Sequence, residues 1–124
     1  MTRVNAGIHP EELPGKLLLA EHREIIRIPN CINSGRAIIK NLPSVFTLNK
    51  GHVKFFYNKL EYIKKRYILI YEECLKRGYK VTDMSGSFIY RQDLYNDWEE
   101  TQEARALLLE RIRSKGFNIR GGRD

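Results

Sequence analysis

Apolar residues recur at helical spacing in three stretches of the chain, and nowhere do they alternate long enough to mark a strand. The clearest stretch runs from about Phe55 to Arg77, where Phe56, Leu60, Ile63, Tyr67, Ile70, Tyr71 and Cys74 step by three and four. That spacing predicts a helix ~30 Å long, enough to cross a domain of this size. Gly78 stands where a C′ residue belongs, and Lys76 and Arg77 suit the negative end of the helix dipole. An earlier helix should open at Pro14, whose missing N–H costs nothing in a first turn. It should stop near Ile28, because Pro29 disfavours helical geometry in the residue before it. A third should start near Asp97, with Asp97 and Glu100 as a capping box and Trp98, Ala104, Leu107, Leu108 and Ile112 as its apolar face. Gly116 should end it. Between these stretches, Asn30–Lys50 mixes Asn, Ser, Gly and Pro with short apolar runs, and Tyr79–Tyr95 reads as a long loop. For Ala37-Ile38-Ile39 a helical turn and a buried contact both remain open. The expectation is an all-α protein: one compact domain over residues 1–124, three main helices with long irregular loops, and a loose tail from residue 117.

Charge adds a second pattern to the first helix. At ~100° per residue, Lys16, Ala20, Arg23, Glu24 and Arg27 share one narrow arc, while Leu17, Leu18, Ile25 and Ile28 lie on the broad opposite side. One carboxylate therefore stands on a basic, small-residue strip. A solvated face would have the same pattern. The whole chain carries +7 over 124 residues, which makes a polyanion the expected partner, nucleic acid ahead of a membrane surface. Lys59, Lys64, Lys65 and Arg66 lie off the apolar stripe and suit either solvent or phosphate.

The two cysteines, Cys31 and Cys74, lack CxxC spacing and imply no disulfide framework; Cys74 falls on an apolar stripe as a small core residue. His9, His22 and His52 have no ligand spacing, so a metal site is not expected. No apolar segment opens the chain and no run of 18 apolar residues occurs, so an intracellular, cytoplasmic, reduced setting is expected, without a membrane partner.

Paired carboxylates at glycosidase spacing, a nucleophile elbow and a phosphate-cradling glycine loop are all missing from the sequence. Thr2 is small enough that removal of Met1 is expected, which would leave a free α-amine. Such an amine titrates near 7.7–8.0 against about 10.4 for lysine, so a useful fraction is uncharged at neutral pH. A neighbouring Arg3 would favour the uncharged form further. An uncharged amine can attack an electrophilic sugar carbon and form an imine, and a carboxylate held nearby can move protons.

Four blocks of the chain carry a resemblance that composition cannot: Thr2-Arg3-Val4-Asn5, Leu19-Ala20-Glu21-His22-Arg23-Glu24, the run from Gly51 to Tyr62, and Glu73-Cys74-Leu75-Lys76-Arg77-Gly78-Tyr79. In this order, over most of Thr2–Asp83, they resemble the pyrimidine-dimer DNA glycosylases; from Met84 onward the likeness fades to a helix of similar character. The resemblance implies a compact, mostly helical, monomeric enzyme acting on damaged double-stranded DNA. It would cut the glycosidic bond at an ultraviolet photoproduct and nick the backbone by β-elimination, with no metal or cofactor. On matching positions, Thr2 would supply the attacking amine and Glu24 the catalytic carboxylate, while Arg3, Arg23 and Arg27 would hold phosphates. Glu21 projects from the apolar side of the helix, where a buried carboxylate would need a basic partner.

The chain departs from that family's type member in several places. Lys16-Leu17 replaces a polar Gln-His pair, Tyr67 a DNA-facing glutamine, and Leu107 an arginine, with Arg111 keeping charge one turn later. Gly116-Phe117-Asn118-Ile119 stands where an aromatic and basic C-terminal segment is found in the family. The resemblance therefore leaves two alternatives beside the photoproduct glycosylase: a lyase or glycosylase for abasic sites or another altered base, and a non-catalytic DNA-binding module.

Overall fold

Pro29 ends the first helix, and does so from a distance. In a helix running through it, the pyrrolidine ring would meet the carbonyl of Ile25, which would also lose its N–H partner. The computed structural model, which describes residues 2–88 and 91–120, breaks the helix at that residue. Helix α1 spans Gly15–Glu24 and is capped by Ile25. A second helix, α2, spans Arg27–Asn33 and takes Pro29 in its first turn, where an N–H has no helical partner anyway. Ile25 and Ile26 keep right-handed helical angles, and the Ile28 N–H bonds the Ile25 carbonyl at 3.2 Å, so the break is a kink. The single helix expected to reach Ile28 is thus two, and Arg27 opens the second.

The long helix, α4, follows a short turn of helix, α3 (His52–Phe55), and spans Leu60–Lys76. It starts five residues later than the spacing predicts, because Phe55-Phe56-Tyr57 form tight turns of their own. Its stripe is buried as expected: Leu60, Ile63, Tyr67, Ile70 and Cys74 are each 2% exposed or less. Arg66 is the exception among the basic residues read as solvent- or phosphate-facing, since it is buried inside the molecule.

The last helix, α5, spans Gln102–Ser114 and begins at Thr101, whose hydroxyl accepts the Ala104 N–H at 3.0 Å. The Asp97/Glu100 capping box is therefore absent. Asp97 pairs with Lys65 at 2.8 Å, and Glu100 accepts the Tyr62 hydroxyl at 2.6 Å. Trp98 precedes the helix and packs its ring among Phe46, Phe55, Phe56 and Tyr62. Leu107 is exposed; Ala104, Leu108 and Ile112 make the buried face. At the C-terminus Gly116 takes φ 85°, so that its N–H reaches Arg113 and the Phe117 N–H reaches Ile112. This turn folds Phe117 back, and both Phe117 and Ile119 pack against the core. Of the tail expected to be loose, residues 121–124 lie outside the described residues.

Among the described residues the protein is all-α, with short 3-10 turns at Pro10–Glu12, Ser85–Ser87 and Gln92–Leu94 and no strand. The core joins α1, α2, α4 and α5 to the arm that precedes them, which turns at Asn5–Ile8 and in which Val4, Ala6 and Ile8 are wholly buried. Gly7 lets the arm lie on α5: its φ is 86°, and a Cβ there would stand 2.9 Å from the Arg105 backbone.

Candidate active site

Among its buried apolar residues the N-terminal arm carries polar groups, the buried Asn5 included, that need partners. Here they are tied at three successive positions. The Arg3 guanidinium donates to the Leu48 carbonyl at 3.0 Å. The Val4 N–H donates to Nε2 of His52 at 2.9 Å. The Asn5 side-chain amide donates to Oε1 of Glu21 at 2.7 Å. His52 in turn places Nδ1 2.9 Å from the Thr47 carbonyl. Because that carbonyl can only accept, Nδ1 carries the proton and Nε2 is left as the acceptor, which defines one neutral tautomer. Burial pushes its pKa down to about 4 against the Thr47 hydrogen bond, and the charges of Arg3 and Arg111 push the same way.

Glu21 and Glu24 both belong to α1, one turn apart. Glu21 is buried as its place on the apolar side requires, and it has the basic partner that such burial demands. Arg66 grips it with Nε at 2.6 Å and Nη2 at 3.1 Å, and spends its third nitrogen on the Ile8 carbonyl at 2.9 Å. Burial works against the Arg66 charge, but Glu21, with Tyr62 and Glu100 beyond it, holds the guanidinium pKa above its ordinary value. Glu24 has a different setting. Its side chain is 16% exposed, with Arg23 Nη2 at 3.7 Å, an ion pair too long for a hydrogen bond.

Glu24 lines a cavity of about 220 Å³ together with Arg3, Arg111 and Lys115. Leu17, Ala20, Ile112 and Phe117 supply its apolar wall, and Asn5 and Glu21 also border it. Three cations and one accessible carboxylate on an apolar wall make a site for an anionic ligand that develops positive charge at one atom. Arg3 is the meeting point. Its pKa is lowered, first by burial and then by Arg111, while Glu24 works in the opposite direction.

Of the residues the sequence singles out, Arg3 and Glu24 come together at this cavity. Thr2, half-buried, is bonded to Arg3 in the chain but is not itself a lining residue. Arg23 is exposed beside Glu24 and borders a separate groove with His22, Ile26 and Met84. Arg27 is exposed on α2 and lines neither. Lys115 and Phe117 were not singled out as site residues. The signal that could have found them is Gly116, because a C′ glycine folds the next residue back across its own helix. A larger groove, between His9, Glu73 and Arg105, holds none of these residues, and two of its three carboxylates are firmly paired: Glu12 with Arg105 at 2.9 Å and Glu73 with Arg77 at 2.7 Å, the third, Glu11, being exposed.

Among the described residues no three His, Cys, Asp or Glu side chains converge on a possible metal position. No helix there is long and apolar enough to cross a membrane. A family model described as pyrimidine dimer DNA glycosylase matches residues 1–87.

Proposed function

The chain belongs to the pyrimidine dimer DNA glycosylase family and is a DNA repair glycosylase; from that premise we propose that its nucleophile is the α-amine of Thr2, freed by removal of Met1. The observation that supports this is the cavity shared by Glu24 and Arg3, the residue next to Thr2. The amine lone pair attacks C1′ of the deoxyribose as the bond to the damaged pyrimidine breaks and its electrons leave with the base. Glu24 faces the positive charge that gathers at C1′. Loss of the amine proton and opening of the sugar ring give an imine. Removal of a C2′ proton then expels the 3′ phosphate by β-elimination, and water releases the protein.

Arg3, Arg23 and Arg27 hold backbone phosphates of the duplex and provide much of the binding energy. Unstacking a nucleotide costs a few kcal/mol, least at a damaged step, so those contacts are enough to open it. The chain acts as a monomer, as a single domain, and this chemistry calls on no metal or cofactor. The cations around Arg3 favour the uncharged amine, as the attack requires.

Borohydride reduction tests the proposal, since it converts an imine into a stable protein–DNA adduct. Protein with a free Thr2 amine should be trapped on dimer-containing DNA, and acetylation of that amine should abolish both adduct and strand cleavage. Unaltered cleavage by the acetylated protein would remove Thr2 from the mechanism. Trapping on abasic DNA alone would leave a lyase that has lost its photoproduct.

A further inference from the structure

An amine at the free end of a chain has no side-chain scaffold to aim it, so its position depends on where the following backbone is first held. Two residues span at most about 7 Å, so a tether at the Val4 N–H confines the Thr2 amine to a short radius. Asn5 is anchored as well, but one residue further along. Arg3 does not substitute, because its hold on Leu48 runs through a long flexible side chain.

The tether is built for permanence. Val4 is 0% exposed and His52 4%. The ring is clamped between Thr47 and Val4, with Phe46 and Phe56 edge-on at 5.5 Å each. A buried histidine that only filled space would be replaceable by an apolar ring. Here its Nε2 is the acceptor for an N–H that is otherwise shut away from water.

We propose that His52 is a positioning residue for the reacting amine, holding the Val4 N–H so that Thr2 stands at a fixed place beside the Glu24 cavity. This deepens the mechanism above and rests on it. Displacement of a nucleophile by about 1 Å can cost on the order of 10²-fold, which gives the scale of the effect.

The test compares His52→Phe, which keeps the ring and loses the acceptor, with His52→Gln, whose amide oxygen replaces it. Single-turnover borohydride trapping on preformed abasic DNA is the readout, with DNA affinity measured alongside. His52→Phe should trap roughly 10–100-fold more slowly with affinity unchanged, and His52→Gln should recover most of the rate. Hydrogen exchange at the Val4 amide should be slow in the native protein and in His52→Gln, and fast in His52→Phe. If His52→Phe does not fold, an ester at the Val4 amide removes the same donor without touching the ring; it can be introduced by joining a synthetic 2–30 segment to the chain at Cys31, and it should slow trapping to the same extent. Faster exchange with an unchanged trapping rate would overturn the proposal and leave the imine mechanism standing. If the native protein forms no adduct while the Val4 amide remains protected, the imine mechanism itself fails, and the role of His52 fails with it.

Discussion

Glu21 and Glu24 are the same residue type on the same helix, one turn apart, and their surroundings give them opposite uses. Glu21 is 1% exposed and accepts from Arg66 twice and from Asn5 once. A carboxylate so filled has little acceptor capacity left for a ligand, and it holds three elements together: the arm, α1 and α4. Glu24 meets its nearest cation at 3.7 Å and faces a cavity. Its lone pairs remain usable. Burial of a charge is therefore a poor guide to chemistry in this protein. The guide is whether the partners of the charge are complete.

Neutralising each carboxylate tests that contrast most severely. Glu24→Gln should leave folding and DNA binding nearly intact while single-turnover glycosidic cleavage falls by a factor on the order of 10²–10⁴. Glu21→Gln should do the reverse: leaving Arg66 buried without its counter-charge should cost about 3–5 kcal/mol in denaturant unfolding, with cleavage per folded molecule much less affected. Replacing Glu21 and Arg66 together by Leu and Met should cost less than either single change, since no orphaned charge remains. A stable, inactive Glu21→Gln protein would reverse the assignment of the two residues.

Acid provides a third test, because it charges His52 on the buried side of the site, beside Arg3 and Arg111. His52 has a folded pKa of about 4 against an ordinary 6.5, so the unfolded chain takes up its proton first. Its contribution is complete above pH ~6.5 and is lost as pH falls towards ~4, about 3 kcal/mol in all. Glu12, whose pKa is lowered mainly by its hydrogen bond to Arg105, adds a second loss as the pH falls below the ordinary glutamate range. In melts between about pH 7 and 2, His52→Gln should flatten the first loss and leave the second.

The smallest expected effect is at the rim. Arg23→Ala and Arg27→Ala should each weaken DNA binding and reduce the slope of log affinity against log salt by ~0.9 for one lost phosphate contact. An unchanged slope in both would make them ordinary solvated arginines.

How far the sequence could be read follows from the range of each cause. The stripe of α4 was legible because burial there depends only on positions three and four apart. Pro29 was legible as a breaker but not in its effect, because its clash falls on residue 25 and the local preference on residue 28. The start of α5 was misplaced since Asp97-x-x-Glu100 and Thr101-x-x-Ala104 compete as caps, and the first pair is engaged by Lys65 and Tyr62 on another helix. In the site, the need of Glu21 for a cation was legible and the identity of that cation was not. Nothing in Lys64-Lys65-Arg66 distinguishes the one that turns inward, 45 residues away.

The tethers of the arm also set a timetable. Arg3 and Val4 are bonded to groups 45 and 48 residues further along the chain, Ile8 to one 58 residues on, and Gly7 to Arg105, 98 residues on. A ribosome adding roughly 5–20 residues each second would need about 5–20 s to deliver the last of these. For that interval the arm is the oldest part of the chain and the least committed. The removal of Met1 that the proposed mechanism requires would have its opportunity then, before Arg105 ties down the backbone at Gly7.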